Sequence, residues 1–172
     1  MNDDERLNVM NATAVADCFH RAAEVMLEDP RREGARVTLP AAGTLTVAGD
    51  LHDQDESFRK ILIQADLDAS DDRYLVMQEV VHGERRTNGR DMSVRTLARV
   101  AEQVVAYPGR VWQLQSNHEL AQVNGESIHK DGVDNIEAFT LGLQYMYRTE
   151  WETVQAAMAA YIRALPLAVE TE

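Results

Sequence analysis

The hydrophobic positions of the chain recur with two different spacings, one typical of helices and one of strands. Apolar side chains three and four positions apart predict amphipathic helices, whereas short apolar or alternating runs predict strands. The predicted helices cover residues 13–26, 53–65, 93–107, 133–147 and 150–164. The predicted central strands cover residues 44–49, 74–77 and 111–115. Their order, β-α-β-α-β, favours an α/β domain in which helices pack on the faces of a parallel sheet.

Residues at the ends of these elements agree with the predicted types. The first helix can be capped by Asn11 or Thr13, the second by Asp53 or Asp55, and the third by Ser93. A short extended piece is expected at residues 37–40, and another strand is expected to start near residue 165. The stretches 84–91 and 120–132 are polar and contain glycines, so both are predicted to be loops.

Side chains able to bind a metal follow each of the three central strands. They are Asp50 and His52 after the first strand, Gln78 and Glu79 after the second, and Asn117 after the third. Because the carboxyl ends of parallel strands meet at one edge of a sheet, these groups are expected to converge. Their oxygen and nitrogen atoms suit Mn, Fe or Zn, and a pair of such ions can activate water for attack on a phosphoester. His118 could then protonate the leaving oxygen.

Composition narrows the classes of partner. The chain of 172 residues is long enough for one domain with a substantial core. Its formal net charge of −12 argues against non-specific nucleic-acid binding, which needs a basic face. A single cysteine, Cys18, rules out an internal disulfide, and no apolar run is long enough to span a membrane. We therefore expect a cytoplasmic protein with no nucleic-acid or membrane partner, with residues 1–12 as a polar lead-in.

Two motifs then make the chain resemble a known superfamily. Gly49-Asp50-Leu51-His52 matches a GDxH motif, and Ser116-Asn117-His118-Glu119 matches a GNHE motif with serine in first place. The elements around the motifs fall in the same order. Over residues 13–172 the chain resembles the N-terminal half of a calcineurin-like metallophosphoesterase, and within that superfamily it is most similar to the serine/threonine phosphoprotein phosphatases.

The resemblance implies a fold, a reaction and a set of roles. The fold would be a four-layer α/β/β/α sandwich, of which this chain supplies one sheet as an apparently truncated portion, and its uncovered sheet face would favour self-association. The substrate would be a phosphate monoester, either a small molecule or a phosphoprotein. Two divalent ions would be held with the help of Asp50, His52 and Asn117, and His118 would be the proton donor. Asp50 and His118 are thus the expected catalytic residues.

The chain departs from the superfamily pattern at the second motif. Where the family has GDxVDRG, this chain reads Met77-Gln78-Glu79-Val80-Val81-His82-Gly83. The metal-bridging Asp corresponds to Gln78, the Asp that orients the catalytic histidine to Val81, and the phosphate-binding Arg to His82. A divergent bacterial branch is one explanation.

Two substitutes for the missing groups are conceivable. Neighbours on a strand face opposite ways, so Glu79 can replace the bridging carboxylate only if a bulge turns it inward. Arg85, Arg86 or Arg90 are candidates for phosphate binding, although the alternative is a solvated loop.

Less specific interpretations than a phosphoesterase are also compatible with the sequence. A Gly-Asp-x-His pattern occurs by chance, and an Asp after a strand is often only a helix cap. The chain could be a catalytically impaired relative that binds metal, phosphate or a partner without turnover. It could also be a plain α/β scaffold whose helices over residues 133–164 bind another protein.

Overall fold

The computed structural model describes residues 6–83, 86–126, 129–130 and 133–172. The helices there are α1 (Ala12–Glu28), α2 (Asp55–Ala65), α3 (Val94–Ala106), α4 (Asn117–Asn124), α5 (Asn135–Tyr147) and α6 (Trp151–Ala164), with short 3-10 turns at Leu67–Ala69 and Arg148–Glu150. The strands are β1 (Arg32–Glu33), β2 (Arg36–Leu39), β3 (Thr44–Asp50), β4 (Arg73–Gln78), β5 (Arg86–Thr87), β6 (Arg90–Asp91), β7 (Val111–Gln113), β8 (His129–Lys130), β9 (Val133–Asp134) and β10 (Ala168–Thr171).

A parallel sheet in the order β3-β4-β7 forms the centre of the fold. Strand β4 lies in the middle and is apolar and buried over Tyr74–Met77, as expected for a strand covered on both faces. Helix α2 connects β3 to β4, and α3 leads into β7. The predicted β-α-β-α-β order and parallel sheet are therefore confirmed.

Strand β3 is one of the two edge strands of this sheet, and part of its apolar surface faces solvent. Val47 is 67% exposed and Leu45 is 38% exposed. The register between β3 and β4 also shifts between Val47 and Asp50, which marks an irregularity just before the first motif. Self-association through this surface stays a prediction.

The second three-stranded sheet is separate from the first. In it β2 pairs antiparallel with β1 and parallel with β10. The strand expected near residue 165 thus exists as β10, and it joins this sheet instead of the central one.

The core lies between the central sheet and the helices. Helix α1 packs against α3 and α6, and the rings of Phe19 and Tyr161 are 5.4 Å apart at their centroids. The Tyr161 hydroxyl donates a hydrogen bond of 2.8 Å to Gln113 Oε1, which ties α6 to β7. No helix in the described part of the chain is both long and apolar enough to cross a membrane.

Two local predictions were wrong, and a third was right in position only. Helix α2 begins after Gln54, so neither Asp53 nor Asp55 is its cap, and Asp53 instead accepts a hydrogen bond from Thr96 Oγ. Residues 84–91 were predicted to be a loop, but the two-residue strands β5 and β6 pair as a hairpin there. Ser93 is the N-cap residue of α3, as predicted, but its hydroxyl accepts from the backbone N–H of His82 and makes no hydrogen bond to the helix.

The end of the third central strand also differs from the prediction. Strand β7 stops at Gln113, two residues early, and α4 occupies residues 117–124, which overlap the predicted polar loop. Asn117 and His118 are therefore the first residues of a helix. Gly125 ends this helix in the left-handed region at φ 68°, where glycine carries little strain.

Candidate metal centre

Backbone hydrogen bonds continue between β3 and β4 beyond the ends of the two strands. The N–H of Leu51 and the N–H of His52 both donate to the Glu79 carbonyl, at 3.0 and 2.8 Å. The Asp53 N–H donates to the Val80 carbonyl at 2.8 Å. The two loops are thereby fixed against each other, and the side chains that they carry share one edge of the sheet.

Several residues in these loops adopt a left-handed backbone conformation although they are not glycines. The φ angles are 41° at His52, 55° at Asp53, 50° at Glu79 and 62° at His82. Such a residue costs about 1–3 kcal/mol and persists only where the surrounding contacts impose it. At Glu79 the left-handed turn breaks the strand alternation, so that the carboxylate faces the same region as His52.

Three potential metal ligands meet at this edge. His52 Nε2, a Glu79 carboxylate oxygen and a ring nitrogen of His118 all lie within 4.8 Å of one another. Glu79 Oε1 lies between the two imidazoles, 3.5 Å from His52 Nε2 and 3.2 Å from His118 Nε2. The two rings are 5.2 Å apart and nearly perpendicular, with an interplanar angle of 85°. The loops after β3 and β4 and the first turn of α4 thus each contribute one ligand.

The tautomer of His52 suits a metal ligand. Its Nδ1 is 3.1 Å from the Val81 carbonyl oxygen, which can only accept, so Nδ1 carries the proton in the neutral ring. Nε2 is then the unprotonated nitrogen, and it is the atom nearest to Glu79. Metal-binding histidines commonly have such a backbone partner, because it fixes both the tautomer and the ring orientation.

Asp50 and Gln78 lie beside the cluster. Gln78 Nε2 donates a hydrogen bond of 2.9 Å to Asp50 Oδ1, across the paired ends of β3 and β4. Burial raises the pKa of the Glu79 carboxyl above its usual value, and repulsion from the Asp50 carboxylate raises it further. The local surplus of negative charge favours a cation at this position.

Glu119 supports the His52–Glu79–His118 cluster through buried hydrogen bonds, although no role was predicted for it from the sequence. Its side chain is fully buried, and Oε1 accepts hydrogen bonds from Val80 N at 2.7 Å, Val81 N at 3.3 Å and Gln113 Nε2 at 3.2 Å. Oε2 accepts from Ser116 Oγ. One carboxylate therefore joins the loop after Glu79 to the start of α4. The signal was present in the sequence as Ser-x-x-Glu, the spacing of a capping box.

Asn117 lies at the first position of α4, and its side chain is exposed. Among the described residues, no hydrogen bond links it to the His52–Glu79–His118 cluster. Its role as a metal ligand stays a prediction that rests on its neighbour His118, which does join the cluster.

The residues predicted to bind phosphate are less well placed. His82 is only 3% exposed, and its Nδ1 lies 2.9 Å from Asp91 Oδ2 in a buried pair. Direct phosphate contact requires an accessible ring, which the structure does not give His82. Its ring packs instead 5.6 Å from that of His118. Arg85 and the side chain of Arg86 lie outside the described residues, so their predicted role stays a prediction.

The donors present fit a divalent metal ion. Two imidazole nitrogens and a carboxylate oxygen are ligands of intermediate hardness, which suit Mn, Fe, Zn and similar ions. Glu79 supplies the negative charge that pairs with a cation, and burial together with the neighbouring Asp50 carboxylate raises its pKa. The side-chain amide of Gln78 is neutral and has one oxygen, so it cannot bridge two metal ions well.

Comparison with known proteins adds one finding. No family model matches the sequence, and no curated protein does so either. A similar solved structure is a serine/threonine phosphatase from Saccharomyces cerevisiae with similarity to human phosphatase PP5, with a TM-score of 0.67 and 16% sequence identity. The match covers 94% of this chain. The chain has the fold of part of a serine/threonine phosphatase.

This phosphatase-fold chain spans 45% of the length of the yeast protein. The resemblance inferred from the GDxH and NHE motifs is thus confirmed at the level of the fold. At this sequence identity the likeness concerns the fold alone.

Proposed function

We propose that the chain is the metal-binding part of a phosphoesterase that hydrolyses phosphate monoesters in the manner of serine/threonine phosphatases. The supporting observation is the convergence of His52, Glu79 and His118 within 4.8 Å at the carboxyl edge of a parallel sheet. Such an edge is where open α/β folds bind ligands. The phosphatase fold agrees with this chemistry but does not by itself establish it.

His52 and Glu79 would hold a divalent ion, with Asp50 beside them and Asn117 as a further candidate. When bound, such an ion supplies Lewis-acid chemistry for phosphoryl transfer, by activating water and stabilising negative charge on the phosphate. The Val81 carbonyl orients His52, and the Gln78 amide orients Asp50.

His118 is the proposed proton donor. Its Nε2 lies 3.2 Å from Glu79 Oε1, and its ring is half-buried at the start of α4. A carboxylate at this distance stabilises the protonated imidazole, and a protonated imidazole can give its proton to a leaving alkoxide. The same nitrogen could instead be a third metal ligand. The two roles predict different effects of a His118 substitution on metal affinity.

The test combines turnover with metal binding. Hydrolysis of an aryl phosphate is measured with added Mn²⁺, and metal affinity is measured by calorimetry, for the wild type and for Asp50→Asn, Glu79→Gln and His118→Asn. Glu56→Gln is the matched control, because Glu56 is exposed on α2 and pairs with Lys60 at the surface, away from the cluster. We expect Glu79→Gln to lose both metal and turnover, and Glu56→Gln to lose neither.

His118→Asn separates the two roles of the histidine. A proton donor predicts a loss of turnover of about 10²- to 10⁴-fold with metal affinity retained. A metal ligand predicts that metal affinity falls as well. Turnover that survives both Asp50→Asn and His118→Asn contradicts the proposal.

A second candidate function is a relative that binds metal or phosphate without turnover. The observation in its favour is the Gln78–Asp50 hydrogen bond, where the family places a carboxylate between two metals. Buried, apolar Val81 likewise cannot orient His118 as the family aspartate would. Elemental analysis distinguishes the candidates, since two tightly held metals per chain count against this second one and a single metal without turnover favours it.

A further inference from the structure

His82 has a buried ring nitrogen that the metal cluster does not use. Its side chain is completely buried, and its Nδ1 lies 2.9 Å from Asp91 Oδ2. A carboxylate oxygen only accepts hydrogen bonds, so Nδ1 carries the proton and Nε2 is an acceptor in the neutral ring. Among the described residues, none makes a hydrogen bond to this Nε2. A buried acceptor without a partner is costly, which indicates that Nε2 has a use in the working protein.

Asp91 holds this ring in one orientation and one tautomer. Its side chain is also buried, and Oδ1 accepts a hydrogen bond of 2.8 Å from the Ser93 backbone N–H. The Ser93 hydroxyl in turn accepts from the His82 backbone N–H at 3.1 Å. Both carboxylate oxygens of Asp91 therefore have donors, and the His82 ring cannot turn over without breaking its bond to Oδ2.

Two rings pack against His82 in the described part of the chain. The ring of Phe139 lies 5.5 Å away between centroids and has no N–H or O–H to donate. The ring of His118 lies 5.6 Å away with an interplanar angle of 54°, and of the two it alone can donate an N–H to His82 Nε2. A hydrogen bond of about 3 Å between ring nitrogens places two imidazole centroids about 5 Å apart, so a small rotation of either ring is sufficient.

His118 needs such an acceptor if it is a proton donor. A protonated imidazole carries a hydrogen on each of its two nitrogens. Nε2 of His118 lies 3.2 Å from Glu79 Oε1, so this nitrogen faces the proposed metal position. The hydrogen on Nδ1 then requires an acceptor within the protein, which fixes the ring and stabilises its protonated form.

We propose that His82, oriented by Asp91, is a positioning residue for His118 and accepts a hydrogen bond from its Nδ1–H. The proposal rests on the phosphoesterase proposed above, because it concerns the proton donor of that reaction. When His118 gives its Nε2 proton to the leaving oxygen, the hydrogen on Nδ1 stays in place and keeps its bond to His82. Asp91 polarises the His82 ring through Nδ1–H, which makes Nε2 a better acceptor. The burial that prevents His82 from contacting phosphate is compatible with this role.

Two substitutions remove the Nε2 acceptor in different ways. His82→Asn keeps an N–H for Asp91 but has no group at the position of Nε2, and asparagine tolerates the φ of 62° found there. In Asp91→Asn, the side-chain oxygen must stay with the Ser93 N–H, so the amide N–H faces His82 Nδ1 and moves the imidazole proton to Nε2. The controls are His20→Asn and Asp17→Asn, both at exposed positions of α1. Circular dichroism verifies that each variant is folded.

The first measurement compares turnover of phenyl phosphate and 4-nitrophenyl phosphate with added Mn²⁺. Phenolate is the more basic leaving group and depends more on a proton donor. We expect both variants to lower kcat about 10- to 100-fold for phenyl phosphate and less than about threefold for 4-nitrophenyl phosphate, as part of the roughly 10²- to 10⁴-fold that a proton donor supplies. Mn²⁺ affinity and both controls should stay within about twofold of the wild type. In a His118→Asn background, the loss caused by His82→Asn should disappear, because the two residues act together.

The second measurement does not depend on turnover. In EDTA-treated protein with ¹⁵N-labelled histidine, NMR spectra from pH 5 to 8 report the tautomer of each ring. A coupling across the hydrogen bond between His118 Nδ1 and His82 Nε2 is expected in the wild type and should be absent from both variants. Asp91→Asn should also move the His82 proton from Nδ1 to Nε2.

Three results would overturn the proposal. They are absence of the coupling at every pH, equal losses of kcat for the two leaving groups, and a full loss from His82→Asn in the His118→Asn background. A wild type that shows the coupling but turns over neither substrate would reject the phosphoesterase and leave the hydrogen bond between the two histidines established. Wild-type turnover that is unchanged in Asp91→Asn would reject the positioning role alone.

Discussion

Replacing Glu119 with alanine should destabilise the fold and weaken metal binding together. The carboxylate is fully buried, and it accepts hydrogen bonds from the N–H groups of Val80 and Val81 and from the side-chain amide of Gln113. Alanine removes the acceptor and leaves three buried donors without a partner. Because the N–H groups belong to the loop that follows Glu79, the loop also loses the contact that holds it against α4.

The expected size of the effect follows from those three donors. Leaving a buried donor unsatisfied costs about 1–3 kcal/mol, so the three together should lower the free energy of unfolding by at least about 3 kcal/mol. That is a large share of the roughly 5–15 kcal/mol by which a domain is stable. Glu119→Gln is the matched variant, since its amide oxygen can take the place of Oε1. It should cost about 1 kcal/mol, from the weaker hydrogen bonds of a neutral acceptor.

Urea unfolding followed by circular dichroism measures the first effect, and calorimetric titration with Mn²⁺ measures the second. Loss of a group that positions metal ligands typically lowers metal affinity about 10- to 100-fold, which is the decrease expected for Glu119→Ala. If Glu119→Ala unfolds within 1 kcal/mol of the wild type, or if it binds Mn²⁺ equally well, Glu119 does not organise the cluster.

Three further predictions follow from single residues. Burial raises the pKa of Cys18 to about 11, so at pH 7.5 only about one thiol in 3,000 is ionised. A thiol reagent should therefore modify the folded protein hundreds of times more slowly than the urea-unfolded chain. Equal rates for the two would contradict this prediction. Glu79 has a raised pKa in the fold, so its ionisation destabilises the metal-free protein as the pH rises through that pKa. Glu79→Gln should therefore melt higher than the wild type in EDTA at pH 7 and equally at pH 4, and a lower melting temperature at pH 7 would refute the sign. Gly142→Ala should lower the free energy of unfolding by about 1–3 kcal/mol in urea although alanine favours helices, because the added Cβ would clash with the Asp91 carbonyl oxygen. A gain in stability would contradict this prediction.

The fold was predictable because the spacing of apolar residues along the chain indicates which face of each helix or strand is buried. Strand β4 and the buried side of α3 show their apolar patterns openly, and the parallel β3-β4-β7 sheet follows from the order of the elements. Helix α4 was missed because its eight residues are mostly polar and carry no strong apolar stripe. Its signals were local instead, with Ser116 and Glu119 in capping-box spacing at the start and Gly125 at the end.

The site was predictable only as far as it depends on strand ends. Convergence of His52 with the residues that follow β7 was expected from the parallel sheet, although the expected ligand there was Asn117 and the residue found beside His52 is His118. The pairing of His82 with Asp91 was not, because it depends on the β5–β6 hairpin, whose two-residue strands leave no periodic pattern.

The left-handed backbone at Glu79 bears on how functional residues are assigned by alignment. In a sequence alignment the family's metal-bridging aspartate is aligned with Gln78. A comparison of that position alone would classify the chain as inactive. In three dimensions the carboxylate beside His52 and His118 belongs to the adjacent residue, Glu79, whose φ is 50°. Motif searches among distant phosphatase-fold sequences should therefore tolerate an offset of one residue wherever a strand ends in such a turn.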